Sequence, residues 1–315
     1  LLVLVGFATY MLANKSIKHI KDGVTGMRRL KKLLPKKFRK ESAEIPVVRL
    51  HGAIMSGGNQ FNKNLNLAGV AELLDRAFAD KKAPAVAFSV NSPGGSPVQS
   101  RQIHNRIRQL AEEKDKKVIM FVEDVAASGG YMIACAGDEI YVDPSSIVGS
   151  IGVVSGGFGF PELLKKIGVE RRVYTAGKNK STLDPFMPEK KADIDRLKKL
   201  QLEIHQVFID MVKASRGDRL NETDDMFTGA FWTGMQGKEL GLVDGIGDMR
   251  AVLKEKYGEK TELKLIAQKR GLFGGRSQGV SAMIGGGLTE NLGANLTQGF
   301  ANTVEEKALW AQYGL

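Results

Sequence analysis

A single cysteine, Cys135, stands among 315 residues. One thiol closes no intrachain disulfide, and the sequence holds neither a CxxC pair nor a Cys/His cluster, so no zinc site of that kind is expected. HExxH is missing as well. There is no Walker-type phosphate loop and no GxGxxG arrangement, which argues against a bound nucleotide. No metal and no cofactor is therefore anticipated. Histidine is scarce: His19, His51, His104 and His205 are the whole set. Long apolar runs are lacking too; the one at residues 1–13 falls short of the roughly 20 residues that a bilayer-crossing helix needs.

What is present supports a folded core. Hydrophobic residues make up 43% of the chain and aromatics 7%, and the length accommodates one α/β domain with extensions. Charge is unevenly placed. The formal net charge is +11, and residues 15–40 carry eleven Lys and Arg against Asp22 alone. The rest is close to neutral. Residues 1–13 read as the C-terminal part of a membrane helix that begins outside this sequence; a cleaved signal peptide is the other reading, but no A-x-A site follows. A basic flank at 14–44 beside an apolar segment favours anionic lipid headgroups, at about 1 kcal/mol per Lys or Arg near the surface. Aromatics are too sparse there to favour nucleic acid.

Two strand–turn–helix units carry the chemistry. In the first, the apolar run 85–90 leads into Asn91-Ser92-Pro93-Gly94-Gly95-Ser96-Pro97 and a helix over 98–113. Paired glycines let the backbone approach a ligand with free N–H groups; a plain tight turn uses the same residues. In the second, the strand 118–122 leads through Asp124-Val125-Ala126-Ala127 to Ser128-Gly129-Gly130-Tyr131 and a helix of small residues ending near Ala136. Two readings of Ser128 stand: a helix N-cap, or a nucleophile whose oxyanion the helix N-terminus stabilises. A serine nucleophile needs a base. His104 and His205 fall within helices, and His19 lies in the basic run. His51 closes a strand over 46–54 and stays a candidate. Lys180, in the loop Gly177-Lys178-Asn179-Lys180-Ser181 after a strand-like run at 169–174, is another, provided it is desolvated.

Taken together the motifs resemble the S49 peptidases, the signal peptide peptidase A and SohB group. The matching pieces are Ser92-Pro93-Gly94-Gly95, Ala127-Ser128-Gly129-Gly130-Tyr131, Val148-Gly149-Ser150-Ile151-Gly152-Val153, Gly177-Lys178-Asn179-Lys180 and Gly237-Lys238-Glu239-Leu240-Gly241-Leu242-Val243-Asp244. They occur in the family's order across about 45–267. The resemblance implies an α/β fold of the ClpP/crotonase type, a spiral of repeated strand–helix units, and a serine–lysine dyad without cofactor. Ser128 matches the nucleophile, Lys180 the general base, and Gly94 and Gly95 the oxyanion loop, with the Gly129 N–H as a second donor. Ser181 stands where the family often has an acidic residue, so Lys178 is the alternative base. The resemblance further implies peptide substrates, signal-peptide-like or unfolded, and a ring-like homo-oligomer with each site shared between neighbours. It also implies the bacterial inner membrane, with a single N-terminal anchor. The positive-inside rule leans toward the cytoplasmic face, although the family is usually discussed as acting at the outer face. Rival readings are a crotonase-type acyl-CoA enzyme, a catalytically silent membrane scaffold and a Ser-His-Asp hydrolase.

The remaining chain divides readily. A protease domain is expected over 45–268 and a glycine-rich linker with an amphipathic extension over 269–315. Helices are predicted at 67–79, 189–216 and 248–257, and strands at 139–142 and 262–267. Residues 147–154 are expected to line the cleft. Along 189–216 the apolar residues Ile194, Leu197, Leu200, Ile204, Val207, Phe208 and Met211 recur at helical spacing, a stripe suited to a core or a subunit interface.

Overall fold

Parallel pairing between apolar strands organises the chain. The computed structural model describes residues 43–57, 64–267 and 306–315. The apolar segment at 1–13, nearly all of the basic segment, and the linker with most of the C-terminal extension lie outside the described residues. No helix among the described residues is long and apolar enough to cross a membrane.

Strands β1 (Glu44–His51), β2 (Ala85–Ser92) and β3 (Lys117–Ala127) alternate with helices α1 (Leu67–Phe78) and α2 (Pro97–Lys114). The three strands pair in parallel, and β8 (Glu262–Leu265) joins the free edge of β1, also parallel. Strand β3 serves two partners. Its residues 119–122 pair with β4 (Glu139–Val142), and residues 125–127 pair with β5 (Ile147–Gly149). An antiparallel strand, β6 (Phe231–Thr233), lies beside β5, and β7 (Gly245–Ile246) beside β4. The class is thus α/β, with a largely parallel sheet.

Side-chain alternation assigns the two faces of that sheet. Val48, Leu50, Val86, Phe88, Val90, Val118, Met120 and Val122 face a core closed by α1, α2 and the short α3 (Gly129–Ala134). Ile45, Val47, Ala85, Ala87, Ile119 and Phe121 face the other way, onto Val252 and Leu253 of α7 (Met249–Tyr257). Strands buried on both faces read as continuous apolar runs, which is how 85–90 and 118–122 appear in the sequence. Asp248 starts α7 by accepting from the N–H groups of Arg250 and Ala251.

One buried ion pair fastens the far side of this core. Arg216, at the end of α5 (Lys191–Arg216), is 1% exposed. Its guanidinium donates twice to Asp244, at 2.8 and 3.0 Å, and once to the Gly241 carbonyl at 2.9 Å. Asp244 also accepts from Arg219 and from the Ile140 N–H. Beside it, the buried Tyr131 hydroxyl of α3 donates to the Leu242 carbonyl at 2.7 Å. The motif Gly237–Asp244, which begins within α6 (Gly234–Glu239), is therefore a clamp that joins α5, β4 and α3. Burial pushes the Cys135 thiol, also in this region, up to about 12, which leaves it an inert packing group.

Several elements depart from the sequence reading. Residues 169–174 form no strand; they run exposed, with Tyr174 91% exposed and no ladder beside them. Strand β3 continues five residues past Val122, because β5 offers a second edge where a turn was expected. A short helix, α4 (Pro161–Lys166), appears where no element was predicted.

Burial alone would raise the Asp244 pKa, but hydrogen bonds and attraction from Arg216, with smaller help from the Ile140 N–H and Arg219, hold it below the ordinary value. A carboxylate lowered by folding contributes stability above its unfolded pKa, about 3.9, and loses it as the pH falls through the lower folded value. Asp244→Asn, which strands the buried Arg216 cation, is expected to destabilise the fold by about 3–5 kcal/mol at pH 7. Chemical denaturation checks this: the gap from the parent chain should shrink as the pH falls below 4, and a pH-independent gap would contradict it.

Candidate active site

The carboxyl ends of β2, β3 and β5 meet at one edge of the sheet, where open α/β folds place their ligands. Ser92 on β2 pairs with Ala126 on β3 across a register shift that follows Val90. Ala127 pairs with Gly149. Three loops consequently converge: residues 93–96, residues 128–130 and residues 150–154.

Ser128 sits at the junction of β3 and α3 with φ 51° and ψ −123°. A non-glycine residue in that region costs about 1–3 kcal/mol and persists only where its surroundings enforce it. Its N–H donates to the Gly149 carbonyl at 2.9 Å, and its carbonyl accepts from Tyr131 and Met132. The side chain makes no capping hydrogen bond. A serine kept for capping would turn its oxygen onto the N–H of the second or third helical residue. Here the hydroxyl has no partner among the described residues and stands at a sharp strand-to-helix turn, the geometry of a nucleophile elbow.

The Gly94-Gly95 loop presses on this elbow. Gly94 has φ 103°, and a Cβ there would stand 2.7 Å from the Ser128 Cβ and 2.9 Å from the Gly129 N. A Cβ on Gly129 would in turn lie 3.4 Å from the Gly95 N and overlap the Ser100 hydroxyl. Only glycine lets the two backbones approach this closely. Ile54, in the bridge after β1, holds the loop from behind: it donates to the Gly94 carbonyl at 2.8 Å and accepts from Ser96 at 2.6 Å. Among the described residues, the N–H groups of Gly95 and Gly129 donate to no acceptor. Ser128, Gly94, Gly95 and Gly129 are thus brought together, with two free donors beside one free hydroxyl.

Lys180 is not part of that cluster. It lies exposed in a turn, its N–H donating to Gly177 at 3.1 Å, and makes no hydrogen bond to Ser128. Arg196 of α5 holds the turn through Asn179 at 2.9 Å and Thr182 at 3.3 Å. His205, nine residues further along α5, bonds the Ile151 carbonyl at 2.9 Å, so the turn is fastened about 14 Å along the helix from the site loop. Lys178 is exposed in the same turn. No residue from 152 to 207 is buried. Phe160 packs on Phe186, and Arg171 pairs with Asp184, so this arm is held by its own contacts. The predicted stripe on α5 is buried only at Phe208; Leu200, Ile204 and Val207 are 41–51% exposed.

His51 is engaged elsewhere. Its Nε2 lies 2.6 Å from Ser89 Oγ, and Ser89 donates to Glu123 at 2.5 Å. These three occupy the sheet face above α7, and burial holds the His51 pKa below its usual value despite Glu123 nearby. The sequence reading did not single out Ser150. It too has a positive φ, 53°, and its hydroxyl accepts from Tyr313 at 3.2 Å. Tyr313 follows a short helix at 306–311 and meets Phe231 edge-on, with ring centroids 5.2 Å apart.

Residues 110–264 match Peptidase family S49. The chain is 33% identical to the Putative protease slr0021 of Synechocystis sp., over 81% of this chain and 90% of that protein. It is 34% identical to the Probable protease SohB of Haemophilus influenzae, over 59% of this chain and 52% of that protein. A Brucella abortus protein named Na(+)/H(+) antiporter NhaA is 58% identical over 98% of this chain, yet the chain spans only 43% of its length. The antiporter name describes a protein more than twice as long as the region shared here. The matched region contains the Ser128 elbow and the Gly237–Asp244 clamp, and the slr0021 alignment runs nearly end to end; the chain belongs to peptidase family S49.

Proposed function

We propose that this chain is a serine endopeptidase in which Ser128 attacks a peptide carbonyl and Lys180 of a neighbouring copy is the base. The observation that carries this reading is the strained Ser128, its hydroxyl without a partner among the described residues, flanked by N–H groups of Gly95 and Gly129 that donate to no described acceptor. Backbone donors fixed beside a nucleophile stabilise the tetrahedral oxyanion, and loss of one such donor typically costs ~10²–10³ in rate. The uncharged amine takes the Ser128 proton as the oxygen adds to the carbonyl. The same proton passes to the leaving amine, and an acyl-enzyme remains. Water then adds with Lys180 as base, and the acid product leaves.

Sharing the site between copies follows from the arm. A lysine acts as base only when desolvated or crowded by other cations, and Lys180 in the single chain is exposed. Val154, Phe158 and Tyr174 on the arm are 79–91% exposed, an apolar display that fits an interface between subunits. Head-to-tail contacts of this kind close into rings. The ClpP/crotonase-type spiral belongs to the same reading. So do peptide substrates, extended beside the Gly94-Gly95 loop, and attachment to an anionic bacterial inner membrane through the apolar and basic segments at 1–44.

Cleavage of casein or a signal peptide tests the dyad. Ser128→Ala and Lys180→Ala should each lower turnover by about 10³ or more. Mixed one to one before assembly, the two variants should recover roughly a quarter of parent activity, because random neighbours then complete one site in four. Normal cleavage by Lys180→Ala would remove Lys180 as base, and no recovery in a proven oligomer would refute shared sites. Gly94→Ala, whose methyl would displace the elbow, should retain the folded circular dichroism spectrum but lose about 10² in kcat; an unchanged kcat would contradict the oxyanion assignment.

A further inference from the structure

A sizeable cavity lies away from the Ser128 edge. It is a groove of about 710 Å³ between α2 and α5, floored by the end of α3 at Cys135. Its size falls within the range of small-ligand sites. Arg101 and Arg108 stand on one face of α2, seven residues and about 10 Å apart along the axis. Lys117 and Arg219 close the end near Asp138.

The charges in this groove do not balance. Asp138 accepts from Arg108 at 3.1 Å and from the Val118 N–H at 2.7 Å, so its carboxylate is engaged. Arg219 is drawn to Asp244 and to backbone carbonyls. Asp210, the other acid on the lining, bonds Gln206. The side chains of Arg101 and Lys117 make no hydrogen bond or ion pair among the described residues. Four cations thus face two acids, and the surplus sits at the two unpartnered side chains. Guanidinium and ammonium groups left in this way bind phosphate oxygens strongly, the former in a bidentate fork. A single phosphate reaches only one end of a groove this long.

We propose that the α2–α5 groove binds a small linear oligophosphate, with Arg101 holding one end and Lys117, supported by Arg108 and Arg219, the other. This site is separate from the Ser128 cluster and does not depend on the peptidase reading. It needs no metal ion and involves no covalent step.

Calorimetric titration of the full chain with inorganic triphosphate tests the assignment. The parent should bind one equivalent per chain, and more weakly as salt rises. Arg101→Glu with Lys117→Glu should weaken binding at least about tenfold, given the strength of hydrogen bonds to charged groups. Arg101→Gln with Lys117→Gln, which avoids reversed charge, should move affinity in the same direction if the first variant fails to fold. Lys31→Glu with Lys32→Glu makes the same net-charge change within the basic run and should alter affinity less than about twofold. Absence of saturable binding in the parent would overturn the proposal. So would a loss seen in the Lys31/Lys32 variant and not in the groove variants.

Discussion

The close approach of two backbone loops governs this molecule. The Gly94-Gly95 loop lies so near Ser128 and Gly129 that a methyl group at position 94 would intrude on the Ser128 Cβ. That contact keeps Ser128 in a conformation a serine does not choose by itself, at an estimated 1–3 kcal/mol. The surrounding sheet supplies the constraint. Gly149 fixes the Ser128 N–H, Ile54 fixes the glycine loop, and the Tyr131 hydroxyl anchors α3 to the Leu242 carbonyl. Behind them the Arg216–Asp244 pair ties α5 and β4 to the same turn. Strain at Ser128 is thus borne by a sheet packed on both faces.

The rest of the chain is built differently. Between 152 and 207 no residue is buried as a whole, and α5 is packed only toward its C-terminal end, at Phe208, Val212 and Arg216. A 26-residue helix is about 39 Å long, so its N-terminal half carries the Lys180 turn well away from the sheet. One chain therefore presents Ser128 with the Gly95 and Gly129 N–H groups at one place and Lys180 at another. In the proposed oligomer a second copy joins the two, covering the exposed apolar arm and bringing Lys180 to Ser128.

Much of the central sheet was legible because its signals are local. Strands at 85–90 and 118–122 are apolar on both faces, and the glycine-rich turns after them announce sharp backbone changes. Helix limits at 67, 216 and 257 follow apolar periodicity and capping residues closely. What depended on distant partners was less legible. Nothing near Glu123-Asp124 shows that β5 will extend β3, and Val169–Tyr174 has strand-like composition but no neighbour to pair with. The site divided in the same way. Ser128, Gly94, Gly95 and Gly129 lie in turns whose residue types dictate the geometry, so the structure brings them together. Lysine carries no such local signature, and only the family resemblance raises Lys180 above His51 as a base. His51 looked like a free base at a strand end; alternation along β1 turns it instead toward Ser89 and Glu123.

The central claim is that Ser128, alone among the serines, is activated. A serine-directed fluorophosphonate, incubated with the assembled protein and followed by peptide mass spectrometry, reads this directly. The account predicts a single covalent adduct on Ser128 that disappears in Ser128→Ala. Labelling of another serine such as Ser89, or no adduct in an assembled oligomer, would contradict it.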